Sequence, residues 1–297
     1  MTKAKVNSPL ENQVHGRSMA QMTWHRLLKN KGAVVGMIFI VVLVGAAVAA
    51  GFLYDYDLDI VRMVASDSRR PPSAAHWFGT DTMGRDIFAR VLYGARYSLI
   101  IGVGSVMLGL VVGMILGALA GFYGGVIDQL VMRANDILYS IPNIMTATVI
   151  VSVLGTSTVN LLIALAISSA SSFARITRAQ VMTIRGQEYI ESANAMGLPT
   201  WKIILRHIIP NCLSPIIVQV TLSIGSTIIA ASSLSFLGVG IPSPMPEWGA
   251  MLSDARGEIR NCGWMCVFPG LAIMFTVLAL NLLGDGLRDA LDPKLKK

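Results

Sequence analysis

The sequence predicts an all-α integral membrane protein with six transmembrane helices. Three observations predict it. Of the 297 residues, 54% are hydrophobic and only 14% are charged, where soluble domains carry about 25% charged residues; mean hydropathy is +0.62. Five runs carry no Asp, Glu, Lys or Arg: Gly32–Tyr54, Ser98–Ile127, Ile137–Ala174, His207–Pro246 and Asn261–Gly284. Each can hold the roughly 20 apolar residues that cross a bilayer as a helix. The basic residues between these runs are unevenly divided, as membrane topology requires.

The elements follow in chain order. Residues 1–32 form a basic N-terminal segment, and 33–53 the first span. Arg26, Lys29, Lys31 and an Ala47-Val-Ala49 stretch also suit a signal peptide. The apolar run exceeds a signal core, however, and ends in Phe52, Tyr54 and Tyr56, which suit an interfacial belt. A retained helix is therefore predicted. Residues 54–97 make an outer segment whose Asp55, Asp57 and Asp59 read as a solvated face. The second span is 98–122. Along it Gly109, Gly113, Gly117 and Gly121 recur every fourth residue, a flat stripe that lets another backbone approach closely. Packing inside the subunit and a subunit interface both fit that stripe. The third run is long enough for two spans, 136–154 and 158–174, divided by the turn signal Gly155-Thr-Ser-Thr158. A charged loop, 175–211, comes next. Prolines 210, 215, 242 and 244 bound the fifth span, 212–238. The sixth is 264–284, and 285–297 is a tail. Together, 98–284 constitute a core of five membrane helices.

Orientation follows from Lys and Arg. With the N-terminus inside, the inner segments hold 16 of the 24 basic residues. Acids divide 8 inside and 9 outside when Asp136, at a span end, is counted inside. The inside is thus net +8 and the outside net −1. Both termini and the 175–211 loop are predicted to be cytoplasmic. This asymmetry also explains the pI of 9.5 without nucleic-acid binding.

The chemistry-bearing residues form no catalytic set. Three cysteines give no disulfide framework, and Cys262 and Cys266 suit small apolar packing. His15, His25, His76 and His207 are scattered, with no metal-ligand spacing. There is no phosphate-binding glycine loop and no GxSxG. On the fifth span, Gln219, Ser223 and Thr227 fall on one face at a four-residue spacing. Polar groups do not face lipid cheaply. The face points into the bundle for hydrogen bonding, towards another subunit, or into a pathway.

The cytoplasmic loop builds as helix, tight turn, helix. Gln187–Ala195 reads as a short helix with small residues Ser192, Ala193 and Ala195. Gly197 suits the left-handed residue that ends a helix, and Pro199 suits the first turn of the next. Small side chains let such a helix enter a cleft, and Glu191 offers a charge to a partner's base. An ordinary interfacial hairpin would share these features. Glu191, Ala193 and Gly197 stand at offsets 0, 2 and 6, with Pro210 thirteen residues past the glycine.

That spacing, in EYIESANAMGLPTWKIILRHIIP from Glu188 to Pro210, resembles the EAA loop of ABC importer membrane subunits. Ser192 replaces an Ala there, and His207 and Ile209 stand where Ile and Leu are usual. Four further segments resemble the second membrane subunit of peptide-type importers (dipeptide, oligopeptide, glutathione and nickel systems). They are WHRLLKNKGAVV from Trp24, HWFGTDTMGRDIFARVLYGARYSL from His76, LSFLGVGIPSPMPEWGAML from Leu234, and NLLGDGLRDALDPKL from Asn281. The resemblance covers nearly the whole chain. It implies the six-helix type I permease fold and a multi-pass location in the bacterial inner membrane. It implies a homologous permease partner, two ATP-binding subunits, one docked on the Glu188–Pro210 loop, and an extracytoplasmic binding protein. Mg-ATP would be bound by those partners, with no cofactor on this chain. Peptides are the expected cargo; nickel or glutathione is the alternative. A secondary transporter would need ionisable coupling groups within its spans, and the assigned spans hold almost none.

Overall fold

The structure is a computed structural model that describes residues 19–291; most of the predicted N-terminal segment and the last residues of the tail lie outside that range. Among the described residues the chain is helical, with one isolated bridge between Thr80 and Asp86. A short helix α1 (Met19–Lys29) leads into α2 (Lys31–Leu53). Asn30 separates them and caps α2, its side chain accepting from the Ala33 N–H at 3.2 Å. The outer segment then makes one π-helical turn over Tyr56–Val61, started by the Asp55 carboxylate.

Helix α3 (Ile87–Tyr123) has 37 residues, about 55 Å at 1.5 Å per residue. It begins eleven residues before the predicted 98–122 span. Asp86 starts it by accepting from the Ala89 N–H at 2.9 Å. The charge-free criterion missed this extension because Arg90 and Arg96 lie within it. Its first turns therefore reach beyond a 30 Å hydrocarbon core.

The third predicted span is corrected in form. In place of one helix over 136–154 there are α4 (Gly125–Ser140) and α5 (Asn143–Leu154), bent by 91° at the break between them. Pro142 is the cause: it lacks an N–H and bars Ile141 from helical geometry, leaving Ile141 extended with ψ 130°. The predicted turn at 155–158 is present. Gly155 has φ +89°, and Ser157 caps α6 (Thr158–Arg185) by accepting from the Asn160 N–H at 3.1 Å.

Helix α6 continues eleven residues past its predicted end. Arg175 and Arg178, which the charge criterion put in a loop, lie on the helix and pair with Asp136 and Asp128 of α4. Beyond α6 come α7 (Glu188–Ala195), α8 (Thr200–Ile203), a π turn over Ile204–Ile208, and α9 (Ile209–Phe236). In the π turn, Ile209 N–H reaches back five residues to Ile204 O. Pro210 has no N–H, so the widened turn lets the helix pass it unbroken. A short outer helix α10 (Trp248–Ala255) precedes α11 (Trp264–Leu291), which runs past the predicted limit of 284.

Among the described residues, five helices are long and apolar enough to cross a membrane, and the count is six if the bent α4–α5 pair is one broken span. The Gly stripe settles the α3–α6 contact. A β-carbon at Gly109 would stand 2.7 Å from Ala166 O. Those at Gly113, Gly117 and Gly121 would meet the carbonyls of Ala170, Ala174 and Arg178. The two four-residue ladders match rung for rung, so the stripe packs inside the subunit.

Candidate functional site

The Glu188–Pro210 loop is built from local chain chemistry. Helix α7 ends in a Schellman motif: Gly197 N–H donates to Asn194 O at 2.9 Å and Leu198 N–H to Ala193 O at 3.2 Å. Gly197 adopts φ +73°, the left-handed conformation expected of it. No atom lies within 4 Å of where its β-carbon would be, so the backbone angle, not space, requires glycine. Pro199 caps α8 with φ −65°.

Ala193 faces inward. It is 3% exposed and shares a core with Val181, Ile190, Ile203, Ile208 and Cys212. Its small size seats α7 against the rest of this chain. Asn211 Nδ2 donates to Tyr189 Oη at 3.3 Å and to His207 O at 2.6 Å, tying α9 to α7. His207 is half-buried; Pro210 is exposed in the first turn of α9. The outward face presents Glu191, Tyr189, Met196 (72% exposed) and Trp201 (60% exposed), with Lys202 Nζ 5.5 Å from the Trp201 ring. Met and Trp are enriched at interface centres. Glu191 also lines a cavity of about 310 Å³ with Asp128 and Arg185.

The three polar residues of the fifth span come together in a second site. Gln219 Nε2 donates to Ser223 Oγ at 3.1 Å, and Ser223 and Thr227 are buried. All three line a cavity of about 180 Å³ with Tyr139, Asn143, Ser168 and Ser172. Sequence reasoning missed its other walls. The break at Pro142 puts Tyr139 and Asn143 on it from both limbs of the bent pair, and α6 adds a row of serines. That row, Ser168, Ser169 and Ser172, was the available signal. A larger cavity of about 590 Å³ between α3, α4 and α6 is walled by Leu108, Val112, Leu130 and Ile163. Its nearly apolar lining offers little to a polar solute.

A third constellation also escaped the sequence. At the start of α3, Arg85 and Arg90 are 2% and 1% exposed. Asp81 holds Arg85 Nε at 2.6 Å and accepts from the Met83 and Arg85 N–H groups at 2.8 and 2.9 Å. Arg90 Nη1 donates to Ile60 O at 2.8 Å, and Arg85 Nη2 reaches Asp254 at 3.4 Å. Glu247, wholly buried, caps α10, while Trp248 Nε1 donates to Val91 O at 2.9 Å. Nearby, Glu258 accepts from Arg69 Nη2 at 2.6 Å, and that bond raises the guanidinium pKa. These charges clamp the outer segment and α10 onto α3. Among the described residues no group of His, Cys, Asp and Glu is arranged to hold a metal.

Comparison with known proteins places this geometry. Residues 88–297 match the family "Binding-protein-dependent transport system inner membrane component", and residues 18–72 match the N-terminal TM domain of oligopeptide transport permease C. The chain is 46% identical over 296 residues to the dipeptide transport system permease protein DppC of Alkalihalophilus pseudofirmus, covering 100% of this chain and 97% of that one. It is 46% identical over 277 residues to the glutathione transport system permease protein GsiD of Pectobacterium atrosepticum, covering 92% and 90%. A solved structure of the MetNI methionine ABC transporter in an inward-facing conformation aligns with TM-score 0.56 at 18% identity, over 68% of this chain and 96% of that one; this likeness concerns the fold. The chain belongs to the binding-protein-dependent transport system inner membrane component family, and it is a multi-pass membrane permease subunit of an ABC importer.

Proposed function

We propose that this permease carries peptides through a pathway that it forms with a homologous membrane subunit. The observation that carries the reading is the cavity behind Gln219, Ser223 and Thr227, walled by hydroxyls and amides in an otherwise apolar bundle. A peptide backbone presents donors and acceptors at regular intervals. Such walls exchange hydrogen bonds with it at little net gain or cost, which suits passage rather than capture. The likeness to a dipeptide permease supports the same substrate class.

Two ATP-binding subunits supply the energy, and one docks on the Glu188–Pro210 loop. They bind and hydrolyse Mg-ATP; this chain does no covalent chemistry. Glu191, Met196 and Trp201 form the docking face, while Ala193, Gly197 and Pro210 set its shape and its junction with α9. Closure of the ATPases moves α7, and the Tyr189–Asn211 bond and the shared core carry that motion into α9 and its polar face. An outer-face binding protein delivers the substrate. Both chain termini lie in the cytoplasm, consistent with the Lys and Arg division.

Glutathione is the second reading, favoured by the likeness to glutathione permeases. Ligand binding by the cognate outer-face protein, followed by ATP-dependent uptake into proteoliposomes bearing the whole transporter, tests both. Uptake of a labelled dipeptide supports the first reading. Uptake of glutathione alone supports the second. Uptake of neither contradicts both.

A further inference from the structure

One ion pair stands beside Tyr139, a ring that lines the polar cavity. Arg175 lies three residues past Ser172 on α6, on the same face. Its guanidinium carbon is 4.3 Å from the centroid of Tyr139, a cavity-lining ring. Its Nη2 donates to Asp136 Oδ1 at 3.3 Å. The side chains of Arg175 and Asp136 are 49% and 57% exposed.

The neighbouring pair gives the contrast. Arg178 uses both Nε and Nη2 in a two-pronged grip on Asp128, with 30% and 17% exposure. That geometry uses the guanidinium fork fully and joins α6 to α4. Arg175 makes one long bond, and no acceptor among the described residues meets its Nε or Nη1. A half-exposed guanidinium on a membrane helix does not face hydrocarbon cheaply. Its cation–π contact with Tyr139 keeps the guanidinium beside a residue of the cavity wall. The cavity walls themselves are uncharged.

We propose that Arg175 is a specificity-determining residue that receives the free carboxylate of the substrate as it leaves the cavity. This rests on the pathway reading above. The carboxylate displaces Asp136 and takes two parallel hydrogen bonds from the guanidinium. Asp136 then serves as the exchange partner that keeps Arg175 oriented between passages and returns to it when the substrate departs. A dipeptide, an oligopeptide and glutathione all carry the required group. A bare divalent cation does not.

The test uses the complete reconstituted transporter with its binding protein and a labelled dipeptide with a free carboxylate. Arg175→Gln should lower uptake about ten-fold, the scale of one charge-assisted hydrogen bond, with unchanged co-purification of all subunits. Arg175→Lys should restore part of the uptake. Asp136→Asn should keep or raise it. If the pair is merely a tie between α4 and α6, Arg175→Gln and Asp136→Asn will fail together, and that overturns the proposal. Loss of the second permease subunit from Arg175→Gln complexes also overturns it, by making the residue part of a subunit interface. Gln219→Leu is measured alongside. Normal uptake in that variant sinks the pathway reading itself; reduced uptake there with normal uptake in Arg175→Gln sinks only the role given to Arg175.

Discussion

Gly197 shows how a single backbone angle fixes the Glu188–Pro210 loop. At φ +73° a side chain is strained by about 1–2 kcal/mol, and more for a β-branched one. Gly197→Val is expected to unwind the Schellman turn and misdirect α7, abolishing uptake and releasing ATPase subunits while the chain still inserts. Co-purification with a membrane-level control checks this. Glu191→Ala should be milder, since exposed charges contribute variably to interfaces. In the proposed pathway, Gln219→Leu removes the amide that donates to Ser223. It should lower uptake several-fold with normal complex yield. Gly197 was legible in the sequence because glycine before proline has few other reasons to end a helix. The inward turn of Ala193 was not, because spacing along one helix does not say which face meets the core.

At the scale of elements, the α3–α6 contact is the spine of the subunit. Backbone approaches backbone at four successive glycines, and the carbonyls of α6 occupy the space that side chains would need. Gly113→Ala should therefore cost about 1–3 kcal/mol through overpacking. Gly45→Ala on α2, where nothing lies within 4 Å, should be near neutral. Thermal stability of the detergent-purified protein separates the two. The outer clamp makes a stronger demand. Asp81 is the close carboxylate of two buried arginines. Asp81→Ala removes that partner from Arg90 and leaves Arg85 only the longer contact to Asp254, at a cost of about 3–5 kcal/mol. Lost folded yield, partly recovered in the Arg85→Met background, is the expected result. Charge-free runs located the spans but cut α3, α6 and α11 short at charged residues. Arg90, Arg175 and Arg178 stay helical because carboxylates or carbonyls from other elements meet them, and those meetings are tertiary. The bend at Pro142 was readable from one residue, yet hydropathy averaged across it.

For the whole molecule, the spans and the charge division imply one topology. Cysteines introduced at Arg70 and Arg260, in a background lacking Cys212, Cys262 and Cys266, should react with an impermeant thiol reagent in intact cells. A cysteine at Arg185 should react only after permeabilisation. Reaction of that residue in intact cells would invert the model of the coupling loop. Fold class and loop position were both legible, because they depend on composition along the chain. The polar cavity was legible only on its α9 wall, since α4, α5 and α6 add theirs through a bend and a packing angle.

The central claim is that the face carrying Glu191, Met196 and Trp201 meets an ATPase subunit. Met196 is the most direct probe, being 72% exposed at the tip of the helix–glycine–helix turn. With Met196→Cys as the only cysteine of this chain, a short bifunctional thiol reagent is applied to the assembled transporter in membranes. The account predicts a cross-linked product containing this chain and an ATPase subunit, and no such product from a cysteine at Arg260. Absence of the product at residue 196 in a transporter that still takes up peptide, with its ATPase subunits bound, would contradict it.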